Sequence, residues 1–173
     1  MIVRKIDAIS KWDNPTAVKR HDATVPGDTI SDLKTHGNKL SVWLANTDED
    51  IEDAVAALSL SRDDTQKVTM LKLDENKLAD IEIDVVDDQL GNAQGASNVI
   101  LKKHRNLVEL DHSRLGKLAD YMISQASDPQ NRKIFTAGQV KEILNKYKGT
   151  KIDPRCVTDK ILEKLNWNRH GNS

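Results

Sequence analysis

Apolar residues in this chain change their spacing along its length, and that change points to a fold that mixes helices with sheet. Ile51, Ala54, Val55 and Leu58 recur at i, i+3, i+4 and i+7, the interval that lines up one stripe of an α-helix. Thr47 stands ahead of them as an N-cap, and Asp48, Glu49 and Asp50 fill the first turn, where the helix dipole favours negative charge. Leu115, Leu118, Ala119, Met122 and Ile123 form a second helical stripe, capped by Asp111 or Ser113. Between these helices the period shortens. Residues 68–73 read as a strand, and Ile81-Glu82-Ile83-Asp84-Val85 alternates strictly, a strand with one wet, acidic face at a sheet edge. Residues 2–6 are a short strand. Residues 39–45 are a strand apolar on nearly both faces and therefore central, with Ser41 and Trp43 as core positions. Residues 13–27 read as irregular, with a turn at Pro26-Gly27. Asp28 then caps a short helix over 29–36 that turns Ile30 and Leu33 inward and stops at Gly37. The expected class is α+β, a small mixed sheet with helices, followed by a C-terminal helical hairpin.

Charge is sorted along the same chain. Residues 51–100 hold eleven acidic residues against four basic ones, and residues 131–173 hold ten basic against four acidic. The net charge of −1 is a cancellation of two opposed segments. Such a split predicts a part that touches a polyanion joined to a body that does not. The boundaries expected are an α+β body over 1–127, a linker over 128–134 around Pro129, and a basic tail over 135–173. At 173 residues there is room for one core and a small appendage, built mainly from Leu, Ile, Val and Ala because aromatics make up only 3%. No run approaches the roughly 18 apolar residues of a membrane span, and residues 1–7 lack the apolar stretch of a secretory signal, so no membrane partner is expected. The one cysteine, Cys156, excludes an internal disulfide and a Cys-based zinc site and points to the cytoplasm.

The tail carries the strongest local pattern. Thr136 caps a helix with Val140, Ile143, Leu144 and Tyr147 on one stripe. A polar turn, residues 148–152, leads to Asp153-Pro154, an N-cap followed by proline at the first helical position. Val157, Ile161, Leu162 and Leu165 make the next inward stripe, which Trp167 closes. Lys141, Lys146, Lys148, Lys151, Arg155, Lys160 and Lys164 fall on the opposite faces. Phe135-Thr136-Ala137-Gly138-Gln139-Val140, Pro154-Arg155-Cys156-Val157, and the exit through residues 161–167 to Arg169 and Gly171 resemble a helix-turn-helix of the winged type. That resemblance covers roughly 38 residues from Phe135. It implies that the second helix enters the major groove of DNA, with Arg155, Thr158, Asp159 and Lys160 at the groove and Lys148 and Lys151 on phosphates. Four such cations displacing counterions would give a log–log salt slope near −4.

No catalytic signature of similar weight is present, and neither a cofactor nor a metal is expected. The alternative is a small enzyme acting on nucleotides or nucleic acid, a metal-dependent nuclease or nucleotide transferase of the toxin type, its pocket formed by carboxylates in 63–88 and the 91–97 loop. Glu75 and Lys77 stand in Glu-x-Lys spacing, with Asp63, Asp64 or Asp74 as a second ligand and the lysine steadying the attacking water. Residues 74–77 equally make a turn or a helix start. Glu82 and Asp84 share a strand face and are explained as its wet side. None of the five histidines has a zinc spacing. Cys156 is expected as a small packed residue. Residues 91–97, with Gly91 and Gly95, read as a mobile loop, since no Gly-Lys-Ser/Thr follows. The function these features favour is a non-enzymatic, bacterial-type cytosolic regulator resembling antitoxins and immunity proteins. It would meet a partner protein through its acidic body and DNA through its basic helical pair. A structural subunit of a larger assembly is the remaining alternative.

Overall fold

The computed structural model describes residues 1–7, 12, 31–88 and 93–169. The stretch expected to be irregular at 13–27, the cap at Asp28 with Ile30, Gly91 and Asn92 of the glycine loop, and His21 and His170 lie outside the described residues. In chain order the elements are β1 (Ile2–Ile6), β2 (Leu40–Leu44), α1 (Asp48–Arg62), β3 (Val68–Leu73), α2 (Glu75–Asp80), β4 (Val85–Asp87), α3 (Asn98–Leu101), β5 (His104–Leu107) and α4 (His112–Ser127). A 3-10 turn at Pro129–Asn131, β6 (Arg132–Phe135), α5 (Ala137–Tyr147) and α6 (Asp159–Leu165) complete them. The protein is α+β.

The strands form one sheet in the order β4-β5-β2-β1-β3-β6, so β2 and β1 are central as their apolar content requires. The registered pairs are antiparallel rather than mixed: Ile2 faces Leu44 across β1 and β2, and Leu73 across β1 and β3, while Val85 faces Leu107 across β4 and β5. Alternation then sorts the side chains. Ile2 and Ile6 of β1, Leu40 and Val42 of β2, and Leu71 and Leu73 of β3 share a core with Leu118, Ala119, Met122 and Ala126 of α4. Val3, Trp43 and Met70, of opposite parity, are buried as well.

The chain divides into two compact units. The first is Met1–Leu44, Thr69–Asp87 and Arg105–Lys133; the second is Ala45–Val68, Asp88–His104 and Ile134–Ser173. The passage from one to the other at Lys133 and Ile134 falls in the expected linker, but that stretch is built as a 3-10 turn and most of β6. The tail does not stand alone either. It belongs to the same unit as α1 and α3.

Two further expectations are corrected, and one strand was not expected. The alternating segment 81–85 is not a strand throughout. Leu78 and Ile83 are both core residues and the Ile83 amide donates to Leu78 O, so residues 81–82 turn back, with Glu82 at φ +64°, and only Val85–Asp87 pairs. It does lie at the sheet edge. Next, β5 reads His-Arg-Asn-Leu, with a single apolar residue, so no period announced it. Residues 31–33 form a 3-10 turn, and a tight bridge from His36 to Lys39 ends the segment around Gly37.

Asp32 on that turn is 5% exposed and gathers the surrounding donors. The Trp12 indole donates to it at 2.8 Å, and the Asp7 amide donates to its two oxygens at 3.1 and 3.0 Å. Truncation would leave the buried Trp12 indole without its acceptor, at about 1–3 kcal/mol. Asp32→Ala is therefore expected to lower stability in urea titration by about 1–3 kcal/mol. A change below about 0.5 kcal/mol would count against this role.

Candidate functional site

The second unit opens with α1, whose end is fixed by a reciprocal cap. The Asp50 amide donates to Thr47 Oγ1 at 3.1 Å, and the Thr47 amide donates to Asp50 Oδ2 at 2.8 Å. The helix lies against α3 and α5 and is buried on almost every face, so its expected single stripe is too narrow a description; Asp53 and Ser59 are buried and Leu58 is only half-buried. Its carboxylates meet the lysines of the tail. Asp53, with no exposure, accepts from Lys103 at 2.5 Å and from Lys151 at 2.7 Å. Lys103 also donates to Asp50, Lys151 to Glu49 at 2.7 Å, and Lys146 to Glu52 at 2.8 Å. Asp63 accepts the Thr158 hydroxyl at 2.5 Å, and its carbonyl accepts Lys164 Nζ at 2.6 Å. The basic face expected to look outward is thus partly neutralised within its own unit, which carries twelve acidic and twelve basic residues.

These contacts move proton affinities. Burial disfavours both charged lysines, but hydrogen bonds from Asp50 and Asp53 raise Lys103, and those from Asp53 and Glu49 raise Lys151. Burial alone would raise Asp50; the Lys103 ammonium and the Thr47 and Asn46 amides outweigh it and hold Asp50 at about 2. Burial, then the proximity of Asp53, pushes the Tyr147 phenol up.

After α5 the chain makes a compact connection of eleven residues, 148–158, in place of the five-residue turn expected. Tyr147 O accepts from the amides of Thr150, Lys151 and Ile152, and Gly149 at φ +74° allows the reversal. The strand-like piece that follows pairs with residues 95–97. Ser97 N donates to Lys151 O at 2.8 Å, and Asp153 N donates to Gly95 O at 2.9 Å. Gly95 cannot be larger, because a Cβ there would stand 2.5 Å from Val157 Cγ1 at φ +87°. The second helix does not begin at Pro154 as expected. The Asp153 carboxylate accepts the Arg155 amide in a local turn, and Thr158 caps the Ile161 amide, so α6 starts at Asp159 and is seven residues long. Trp167 returns to α5, its indole donating to Asn145 Oδ1 at 2.7 Å.

Between this connection and residues 95–97 lies an open groove of about 570 Å³. Lys148, Lys151, Arg155 and Arg169 line it, with Asp153 as the only carboxylate among its lining residues. The amides from Gly149 to Asp153, and those of Arg155 and Cys156, all donate within the chain, so an anion entering here meets side chains rather than backbone. Lys148 sits 5.4 Å from the Trp167 ring centre, a cation–π contact. Lys151 is held by Glu49 and Asp53 and lies over Tyr147 at 4.5 Å. Arg155 pairs with Asp153, and Arg169 pairs with Asp159 at 2.7 Å.

Of the residues assigned to nucleic acid, Lys148, Lys151 and Arg155 come together here. Thr158 serves as a cap bonded to Asp63, Asp159 is taken by Arg169, and Lys160 is exposed on α6 outside the groove. Arg169 was expected only at the wing exit and residues 95–97 only in the loop of the alternative enzyme pocket; the folded chain brings both to the connection. Cys156 is exposed, not packed, because the turn at 153–156 directs the buried position to Val157. In the alternative enzyme site, the Asp74 carboxylate caps α2 by accepting the Asn76 amide, and the Asp74 amide donates to the Tyr121 hydroxyl at 2.8 Å. Glu75 pairs with the Met1 ammonium, Lys77 with Asp80, and Asp64 with Lys164. Among the described residues no three His, Cys, Asp or Glu side chains gather as a metal site requires. No described helix is long and apolar enough to cross a membrane. No protein-family model, curated protein or solved structure matches the chain.

Asp53→Ala is expected to cost about 3–5 kcal/mol, because it leaves Lys103 and Lys151 facing each other without their shared counter-charge. Equilibrium denaturation checks this, and a loss under about 1 kcal/mol would contradict it. Asp50, depressed from 3.8 to about 2, contributes stability that is complete above pH 4 and disappears as the pH falls through about 2. Asp50→Asn should therefore remove about 2 kcal/mol of the acid-induced loss over that window, seen as a flatter melting temperature against pH.

Proposed function

We propose that this chain is a non-enzymatic nucleic-acid-binding regulator that lays a phosphate backbone along the groove between residues 95–97 and the α5–α6 connection. The observation that carries the reading is the convergence of Lys148, Lys151, Arg155 and Arg169 on one open groove with a single lining carboxylate. A local excess of cations in a concave surface attracts polyanions even where the surrounding unit is neutral overall. Phosphate contact fits this groove better than base readout by α6, since Thr158 and Asp159 at the start of that helix already have partners. The cations differ in role. Lys151 holds the connection to α1, Lys148 lies on the Trp167 ring, and Arg155 and Arg169 would exchange the exposed partners Asp153 and Asp159 for phosphates. A partner protein of basic character would meet the carboxylates around β4, of which Glu82 and Asp87 already pair with Lys117 and Arg105. The enzyme reading has less support, because Asp74, Glu75 and Lys77 each engage a different neighbour.

Fluorescence anisotropy with a short DNA duplex tests the reading. Binding should weaken with salt at a log–log slope of about −3, matching three contacts rather than four. Lys148→Ala with Arg155→Ala should weaken it by about ten-fold or more. A salt-independent signal, or an unchanged affinity in the double variant, would remove the proposal.

A further inference from the structure

Arg155 lines the groove with 78% of its side chain open, yet the Nε–Nη2 edge of its guanidinium is filled. Nε donates to Asp153 Oδ1 at 3.0 Å, and Nη2 donates to Asp153 Oδ2 at 2.8 Å. Two parallel bonds to paired oxygens are also how a guanidinium holds the non-bridging oxygens of a phosphate. The acceptor lies two residues away in the same turn, and an exposed pair of this kind adds little to stability. Asp153 closes the local turn by accepting the Arg155 amide, and it is also the one carboxylate lining an otherwise cationic groove.

We propose that the Asp153 carboxylate is an internal stand-in for a phosphate group, which displaces it from Arg155 when the groove is occupied. This rests on the groove reading above and assigns its ligand chemistry: a phosphate with two free oxygens, from a nucleic-acid backbone or from a soluble polyphosphate. Lys148 and Arg169 supply the remaining positive charge. Arg155 holds Asp153 at about 2, so the carboxylate stays charged at neutral pH and repels each phosphate that enters. Asp153 is thus a brake on affinity, and removing its charge strengthens binding. A carboxylate acting only through its field on the groove would give the same gain in an Arg155→Ala background, whereas a stand-in on the fork loses the gain there.

Asp153→Asn is the suitable change, because the amide oxygen still accepts the Arg155 amide and keeps the turn. Asp153→Ser is a second variant able to form a related turn. Each is titrated against a labelled DNA duplex by anisotropy and against inorganic triphosphate by calorimetry, beside wild type and Arg155→Lys and again in the Arg155→Ala background. Loss of one like charge near the phosphate should tighten binding about five-fold. Arg155→Lys, which cannot form the fork, should weaken it about three-fold or more. Gain with duplex DNA that the Arg155→Ala background loses supports both the stand-in and the nucleic-acid reading. Gain with triphosphate while DNA stays unbound supports the stand-in and removes nucleic acid as its source. Wild-type binding that either Asp153 variant, folded by circular dichroism, leaves unchanged or weakens overturns the stand-in and leaves the groove. Absence of binding to either probe in every variant overturns both.

Discussion

Asp53 is a carboxylate with no solvent contact, and it draws together parts of the chain that are far apart in sequence. Lys103 reaches it from beyond α3 and Lys151 from beyond α5, while Asp50 and Glu49 complete the charges of those lysines. An ion buried this way is costly unless its partners are well placed, so neighbouring registers in which either lysine misses Asp53 are disfavoured. The position of α5 along α1 follows from this. So does the position of the connection after Tyr147, because Lys151 leaves that tyrosine ring to reach the carboxylate. The backbone bonds between residues 95–97 and 151–153 then form, and they make the wall of the groove.

The same contacts change the meaning of the charge pattern. Along the sequence, acid and base are segregated; within the second unit they mix, and its charged residues balance. Lys146, Lys151 and Lys164 are directed at carboxylates or carbonyls of the chain itself. A segment's net charge therefore overstates the field it presents to a ligand. What the groove retains is a small local excess at Lys148, Arg155 and Arg169, and the proposed function depends on that excess rather than on the whole tail. Arg155 and Asp153 show the same principle over two residues, with a cation satisfied by a carboxylate of its own turn.

Elements with local signals were legible. Thr47 and Thr136 cap helices where the side-chain spacing places them, and the Leu118, Ala119 and Met122 stripe forms part of the core. Elements whose existence depends on a distant partner were not. His-Arg-Asn-Leu becomes β5 because β4 and β2 flank it, and Ile81 and Ile83 leave the sheet because the core around Leu78 recruits Ile83. Proline after Asp153 looked like a helix start, but the Arg155 amide bonded the carboxylate first and Thr158 took the cap. The groove was half visible: Lys148, Lys151 and Arg155 are close in sequence, whereas Gly95 and Arg169 join them only through folding.

Sequence by itself determined the α+β class, the central strands and the caps of the long helices, because side-chain periodicity and capping act over a few residues. Tertiary structure alone decided which lysines are consumed by carboxylates and which remain open to a ligand. Electrostatic partnership depends on distance in space, and a 100-residue separation along the chain, such as that between Asp64 and Lys164, carries no trace of a contact at 3.4 Å.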